Sequence, residues 1–527
     1  MLWFFFCVAI LLLGYFIYGR IIERIFVINP KRATPAYTMQ DGVDYVPMSK
    51  TKIWLIQLLN IAGTGPIFGP ILGALYGPVA MLWIVFGCIF AGAVHDYFCG
   101  MLSVRNDGAS MPNLAGKYLG LPVKAFINVL AVVLLLLVGV VFVSSPAQLL
   151  GTITVDVLNG ANSVSVNNAE DIKQVVEAGG LTVWGMDKAT VISLWTVIIF
   201  VYYILATLLP IDKIIGRIYP FFGALLLFMS VGMVWGLVSA HFSATDPIEF
   251  FRTINADGEG LTWAKFTQNF QVHGDVPIWP LLFLTISCGA LSGFHATQTP
   301  LMARCAENEK EGRFIFYGAM IAEGVIALIW CMVGLSFYQS PDALQAAISE
   351  GSPSKVVYDS SLHFLGFVGG IFAVLGVVVL PITSGDTAFR AARLIIAEFF
   401  HYDQRSLVKR LVIAIPLFII GGIVTNIDFS ILWRYFTWAN QMTAMVMLWT
   451  AAAYLYRYHK FHWVATIPAI FISTVCFTFL AYNKIGFGLD YQVSCYIGFA
   501  LTALCTVLFF TLLKPLGEKD TESYVAE

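Results

Sequence analysis

Apolar runs of about 20 residues, the length a helix needs to cross the hydrocarbon of a bilayer, recur along this chain with short polar breaks between them. They lie near 2–18, 53–75, 77–98, 121–143, 189–209, 218–240, 277–298, 314–338, 363–385, 411–426, 431–454, 463–482 and 490–513. The pattern predicts an all-α integral membrane protein of about 13 transmembrane helices. The first run has no basic residue ahead of it and no small-residue cleavage site behind it, so it reads as a span and not as a signal peptide.

Two of these runs are interrupted. The second carries Gly63, Gly65, Pro66, Gly69 and Pro70 within eight residues. Proline removes a helical hydrogen bond and glycine lets the chain leave helical geometry. Gly63 lies ten residues past Ile53, about 15 Å into the membrane. The seventh run, Ser287 to Pro300, has Gly289 and Gly293 in the same role. Each break should free helix C-terminal carbonyls, which suit a small cation, and N-terminal N–H groups, which suit a carboxylate. Non-helical backbone at that depth is tolerated where protein or a water-filled cavity satisfies it.

The breaks are five spans apart, an odd number, so the second set of five is inverted relative to the first. Paired broken helices in inverted repeats mark the binding site of a secondary transporter. The chain then divides into an N-terminal helix and loop (1–52), a first repeat (53–240), a second repeat (277–454), and two C-terminal helices with a tail (455–527).

Charge orients the bundle. Seven Lys and Arg fall on one side (Lys173, Lys188, Arg252, Lys265, Lys355, Arg434 and Lys484), leaving 23 of the 30 on the other. The positive-inside rule makes the crowded side cytoplasmic, with the N-terminus outside, the C-terminus inside, and two long acidic outer loops at 144–188 and 241–276. Composition narrows the class: 58% apolar and 12% charged residues cannot cover a soluble enzyme. No GxxxxGK[ST] nucleotide loop is present, and a net charge of −2 offers no face for nucleic acid. The nine cysteines form no CxxC pair, so neither a zinc site nor a disulfide framework is expected. His459 and His462 lack a carboxylate cluster beside them, which leaves a membrane enzyme without a catalytic set.

The stretches Gly63-Thr-Gly-Pro-Ile-Phe-Gly-Pro70, Ser292-Gly-Phe-His-Ala296, Tyr317-Gly-Ala-Met320 and Ala439-Asn-Gln-Met442 resemble the carbon starvation protein A (CstA) family. The resemblance implies a LeuT-type five-plus-five fold, with one extra N-terminal and two extra C-terminal helices here. It also implies uptake of pyruvate with protons, or of peptides, across a bacterial inner membrane during nutrient shortage. The chain departs from the family at Thr383-Ser-Gly-Asp-Thr-Ala-Phe-Arg390 and at His95-Asp96, which match only loosely.

Polar side chains within the spans supply the candidate site. Gly63, Thr64, Gly65, Ser292, Gly293, His295, Asn440 and Gln441 are candidate substrate-binding residues. His295 either meets a carboxylate, relays a proton or is simply hydrogen-bonded. Asn440 and Gln441 reach either substrate or another helix. Glu323, about 15 Å past Arg313, reads as the only carboxylate deep within a span. Burial makes its ionised form costly, so it either carries the coupling proton or serves as a neutral structural group. Thr383 and Ser384 could join carbonyls of the first break around sodium. Asp386 either takes part there or pairs with Arg390 at i, i+4. His95 and Asp96 read as a gate or packing pair ending the third span. No cofactor is expected beyond the coupling ion, a proton or sodium.

Overall fold

The computed structural model describes residues 1–42, 44–158, 186–208, 211–243, 247–255, 261–271, 276–404 and 406–516. Most of the expected acidic loop 144–188 and the tail beyond Leu516 lie outside them. Among the described residues, ten helices are long and apolar enough to cross a membrane, and a bent pair makes an eleventh. In chain order, α1 is Leu2–Phe16, α2 Lys50–Ile61, α3 Gly65–Gly73, α4 Ala93–Val104 and α5 Leu121–Leu158. Next come α6 Lys188–Leu208, α7 Ile211–His241, α8 Ile278–Thr285, α9 Gly293–Ala303 and α10 Gly318–Ser336. The chain closes with α11 Pro341–Phe399, α12 Leu407–Val424, α13 Phe429–Arg457, α14 Trp463–Tyr482 and α15 Tyr491–Leu512.

Both interruptions are present. Ala62 (φ −80°, ψ 64°) leaves helical geometry after α2. Pro66, in the first turn of α3 where its missing N–H costs nothing, restarts the helix at an angle of 50°. Between α8 and α9 the unwound stretch is longer. Ile286 is non-helical (φ −97°, ψ 66°), Gly289 is left-handed (φ +87°), and Ser292 is extended. A side chain at Gly289 would be strained in that conformation and would overlap the Ala327 methyl on α10.

Two differences from the sequence reading bear on the site. The third span does not end at residue 98. A π-helical stretch, Trp83–Gly92, runs straight into α4, which continues to Val104. His95 and Asp96 therefore lie inside a span, nine or ten residues before Arg105, about 15 Å from its end. The segment read as a loop before the ninth span is also helical. It forms the first part of α11, bent where Gly351, Ser352 and Gly366 leave helical geometry.

At the end of the bundle where α4, α9 and α13 finish, buried Glu309 ties four segments together. It accepts two bonds from Arg105 (2.9 and 2.8 Å) and one from the Asn29 N–H (2.7 Å). Arg105 in turn donates to the Tyr454 hydroxyl (2.9 Å) and lies over the Phe26 ring. Lys460, in the turn between α13 and α14, donates to the Phe26 carbonyl and to Tyr454.

Candidate functional site

The seventh-span break sits against α4, α10 and α13. Gly92 lets the third span approach so closely that a methyl there would overlap the Ala290 carbonyl. That approach brings His295, in the first turn of α9, between two carboxylates. Its Nδ1 lies 2.9 Å from Asp96 Oδ2 and its Nε2 lies 3.2 Å from Glu323 Oε2. The second contact has ion-pair distance but lacks hydrogen-bond alignment. Asp96 Oδ1 is 2.8 Å from His95 Nδ1. Glu323 Oε1 accepts the backbone N–H of Gly289 at 3.0 Å. All four side chains are fully buried. Buried charge is tolerated only when paired and hydrogen-bonded, and each of these groups supplies what its neighbour needs.

Glu323 is thus not the only deep carboxylate. Asp96 is equally buried and contacts His295 directly, which the sequence reading missed by ending the third span too early. Asp386 is also buried (4% exposed). It faces Arg390 at 3.7 Å, and Arg390 donates to the Ala206 carbonyl, as the salt-bridge alternative expected.

A second cluster links the break to α13. Asn440 Oδ1 accepts the Phe294 N–H (2.6 Å) and the Ser292 hydroxyl (3.2 Å), capping the unwound start of α9. The Cys288 thiol donates to Ser292. Gln441 reaches the Phe283 carbonyl before the break at 2.9 Å, and its Oε1 has no hydrogen-bond partner among the described residues. Asn440 and Gln441 therefore both meet another helix. Gly63, Gly65 and Gly293 lie where side chains would overlap Phe142, Cys288 and the α13 backbone at Asn440, so each permits close packing. Beside them the Thr64 hydroxyl is buried without a hydrogen-bond partner among the described residues. Such groups are rare in native proteins and call for an explanation.

A third cluster lies at the first break. Thr383 and Ser384 on α11 donate to the Leu59 carbonyl, at 3.4 and 3.1 Å. Gln57, on α2 with Leu59, donates to Thr299 (2.9 Å), joining the two broken spans. His459 and His462 meet the Leu516 carbonyl and the Thr466 hydroxyl, each 2.9 Å away.

Comparison with known proteins gives a consistent answer. The family described as carbon starvation protein CstA matches residues 1–159 and 164–352. A Haemophilus influenzae protein named only as an uncharacterized membrane protein is 82% identical over 352 residues, 67% of this chain and 95% of that one. The Escherichia coli peptide transporter CstA is 26% identical, the match covering 88% of this chain and 78% of that one. The E. coli pyruvate/proton symporter BtsT is 28% identical over 61% of this chain and 47% of its own length. Among solved structures, the nucleobase–cation symporter Mhp1, closed around bromovinylhydantoin, superposes with a TM-score of 0.52. The identity is 12%, over 94% of this chain and 99% of that one. MhsT in complex with L-phenylalanine gives 0.55 at 11% identity, over 88% and 98%. At such identities the likeness shows the fold, which is LeuT-like.

Proposed function

Because this chain belongs to the carbon starvation protein CstA family of membrane transporters, we propose that it imports a small carboxylate, pyruvate first, together with protons across a bacterial inner membrane. The observation that carries this reading is His295 held between Asp96 and Glu323 beside the unwound backbone of the seventh span. A proton-coupled secondary transporter needs a protonatable group near the place where its helices break. The start of α9, where Asn440 already takes the Phe294 N–H and the Ser292 hydroxyl, offers an anion the positive helix end it requires. Transport follows from rocking of the two repeats about the broken spans. The N-terminus faces outside and the C-terminus the cytoplasm, and the physiological setting is carbon starvation.

Two observations favour variants of this reading. The peptide transporter relative aligns over 88% of the chain, which supports a short peptide as cargo. The Leu59 carbonyl with the Thr383 and Ser384 hydroxyls supports sodium as the coupling ion, because hard oxygen donors suit a small cation.

Purified protein in proteoliposomes tests all three. An imposed proton gradient should drive accumulation of labelled pyruvate, and an uncoupler should abolish it. Glu323→Gln should lose gradient-driven accumulation and retain pyruvate exchange at a reduced rate, since exchange need not release the proton. His295→Gln should weaken pyruvate binding. Accumulation by Glu323→Gln with unchanged pH dependence would make Glu323 structural. A strict need for sodium would move coupling to Thr383 and Ser384, and competition by dipeptides would change the substrate.

A further inference from the structure

The cluster at the seventh-span break holds four titratable side chains joined in a line: His95, Asp96, His295 and Glu323. Three nitrogen–oxygen gaps connect them, at 2.8, 2.9 and 3.2 Å. An imidazole lone pair facing a carboxylate lone pair across such a gap is repulsive, so each gap requires a proton. Three protons shared by two carboxylates and two imidazoles leave a net charge of −1 on the set. The remaining ring nitrogen, His95 Nε2, is buried and has no partner among the described residues. A fourth proton on it brings the set to neutrality, which costs least in an apolar interior.

The surroundings leave the line to itself. The charges acting on Asp96 are those of His295 and His95, and those acting on Glu323 are of His295 and Asp96. The other titratable side chains against them are thiols. Cys88 and Cys99 are each bonded to a backbone carbonyl, of Met320 and Ala296, and Cys288 is bonded to Ser292.

We propose that these four side chains form one proton-storing unit, in which Asp96 is the central coupling carboxylate and His95 Nε2 the port where the transported proton is taken up and given back. This rests on the proton-coupled reading above and assigns it residues on the third span. Loading is balanced as follows. One proton adds to His95 Nε2. The His95 Nδ1 proton passes to Asp96 Oδ1, and the His295 Nε2 proton passes to Glu323 Oε2 once the imidazole has turned into hydrogen-bond alignment across that 3.2 Å gap. Both carboxyls are then neutral acids, both imidazoles are neutral, and the net charge has risen from −1 to 0. A neutral carboxyl accepts a hydrogen bond more weakly than a carboxylate. Loading therefore loosens the bond from Gly289 N–H to Glu323 and with it the hold on the unwound segment between α8 and α9.

Two measurements test the proposal. The first uses no substrate. Infrared difference spectra of the purified protein in lipid, recorded across a pH titration, report the Glu323 carboxyl band, assigned by its loss in Glu323→Gln. Asp96→Asn and His95→Gln should each move the midpoint of that band by about one pH unit or more, the signature of coupled sites. An unchanged midpoint in both variants overturns the unit. If Asp96→Asn does not fold, His95→Gln decides this arm alone. The second measurement is transport. Asp96→Asn should lose gradient-driven accumulation while exchange persists at a reduced rate, and Asp96→Glu should recover part of the accumulation. Shifted midpoints with accumulation intact would overturn the coupling role. Should the wild-type protein fail to accumulate pyruvate on a proton gradient, the proposed substrate or coupling ion is wrong, and the spectra still decide whether the four groups act as one.

Discussion

Gly293 opens α9 against α13 with no space for a side chain. A methyl group there would overlap the Asn440 carbonyl and the Ala444 nitrogen, both backbone atoms that cannot rotate aside. At Gly65 the atoms in the way are the Cys288 Sγ, which can turn, and its Cβ, which moves only with the non-helical stretch between α8 and α9 that carries it. Overpacking costs about 1–3 kcal/mol where neighbours can adjust and more where they cannot. Gly293→Ala should therefore lower the yield of monodisperse protein and its melting temperature clearly more than Gly65→Ala does. Equal melting temperatures for the two would refute the close-packing account. The glycines were legible in sequence as helix breaks because they fall mid-run with prolines. Their tight fit was not, because it depends on which helix lies opposite. Asp96 was misplaced for a related reason. A His-Asp pair at the edge of an apolar run looks like a helix end until another helix supplies a partner for it, and His295 does so from almost 200 positions away.

The turn from α13 to α14 shows what an element end can hold. Lys460 lies against the Phe26 and Tyr454 rings. Burial first, and the neighbouring Arg105 cation next, push its ammonium down to about 7, against the opposing pull of Glu309. An unfolded chain would keep the proton to its ordinary, much higher value. Between those values the unfolded state binds more protons than the folded one, so this residue's contribution to stability rises as pH climbs from about 7 upward. Lys460→Met removes the titrating group. Thermal melts of detergent-solubilised protein at about pH 6 and about pH 9 should show the wild type gaining on this variant at the higher pH. A constant difference between the two would mean that Lys460 keeps its ordinary affinity for protons. At this scale the apolar runs located the long helices well, since hydrocarbon thickness dictates their length. They did not reveal the helical first part of α11. That segment is polar enough to read as a loop, and its bends at Gly351, Ser352 and Gly366 interrupt the apolar pattern.

For the whole molecule, inversion of the two repeats makes the sharpest demand. Three crossings separate the segment before α8 from the turn after α11: the broken span α8–α9, then α10, then α11. An odd number puts the two segments on opposite faces, and the distribution of Lys and Arg assigns the first to the outside. Gln268 and Ser406 are exposed at these two places, and each can carry a single cysteine probe. Seven of the native cysteines are buried and only Cys495 and Cys505 are partly open, so replacing those two with serine gives a quiet background. A membrane-impermeant maleimide on intact cells should label Gln268→Cys and leave Ser406→Cys unlabelled until the membrane is permeabilised. Labelling of both from one side would require an even number of crossings between them. The two halves could not then be inverted copies, and the unwound stretches of the second and seventh spans would not mark a transport site by symmetry. The reverse pattern, with Ser406→Cys accessible from outside, would keep the inverted repeats and overturn only the direction in which the charge asymmetry points.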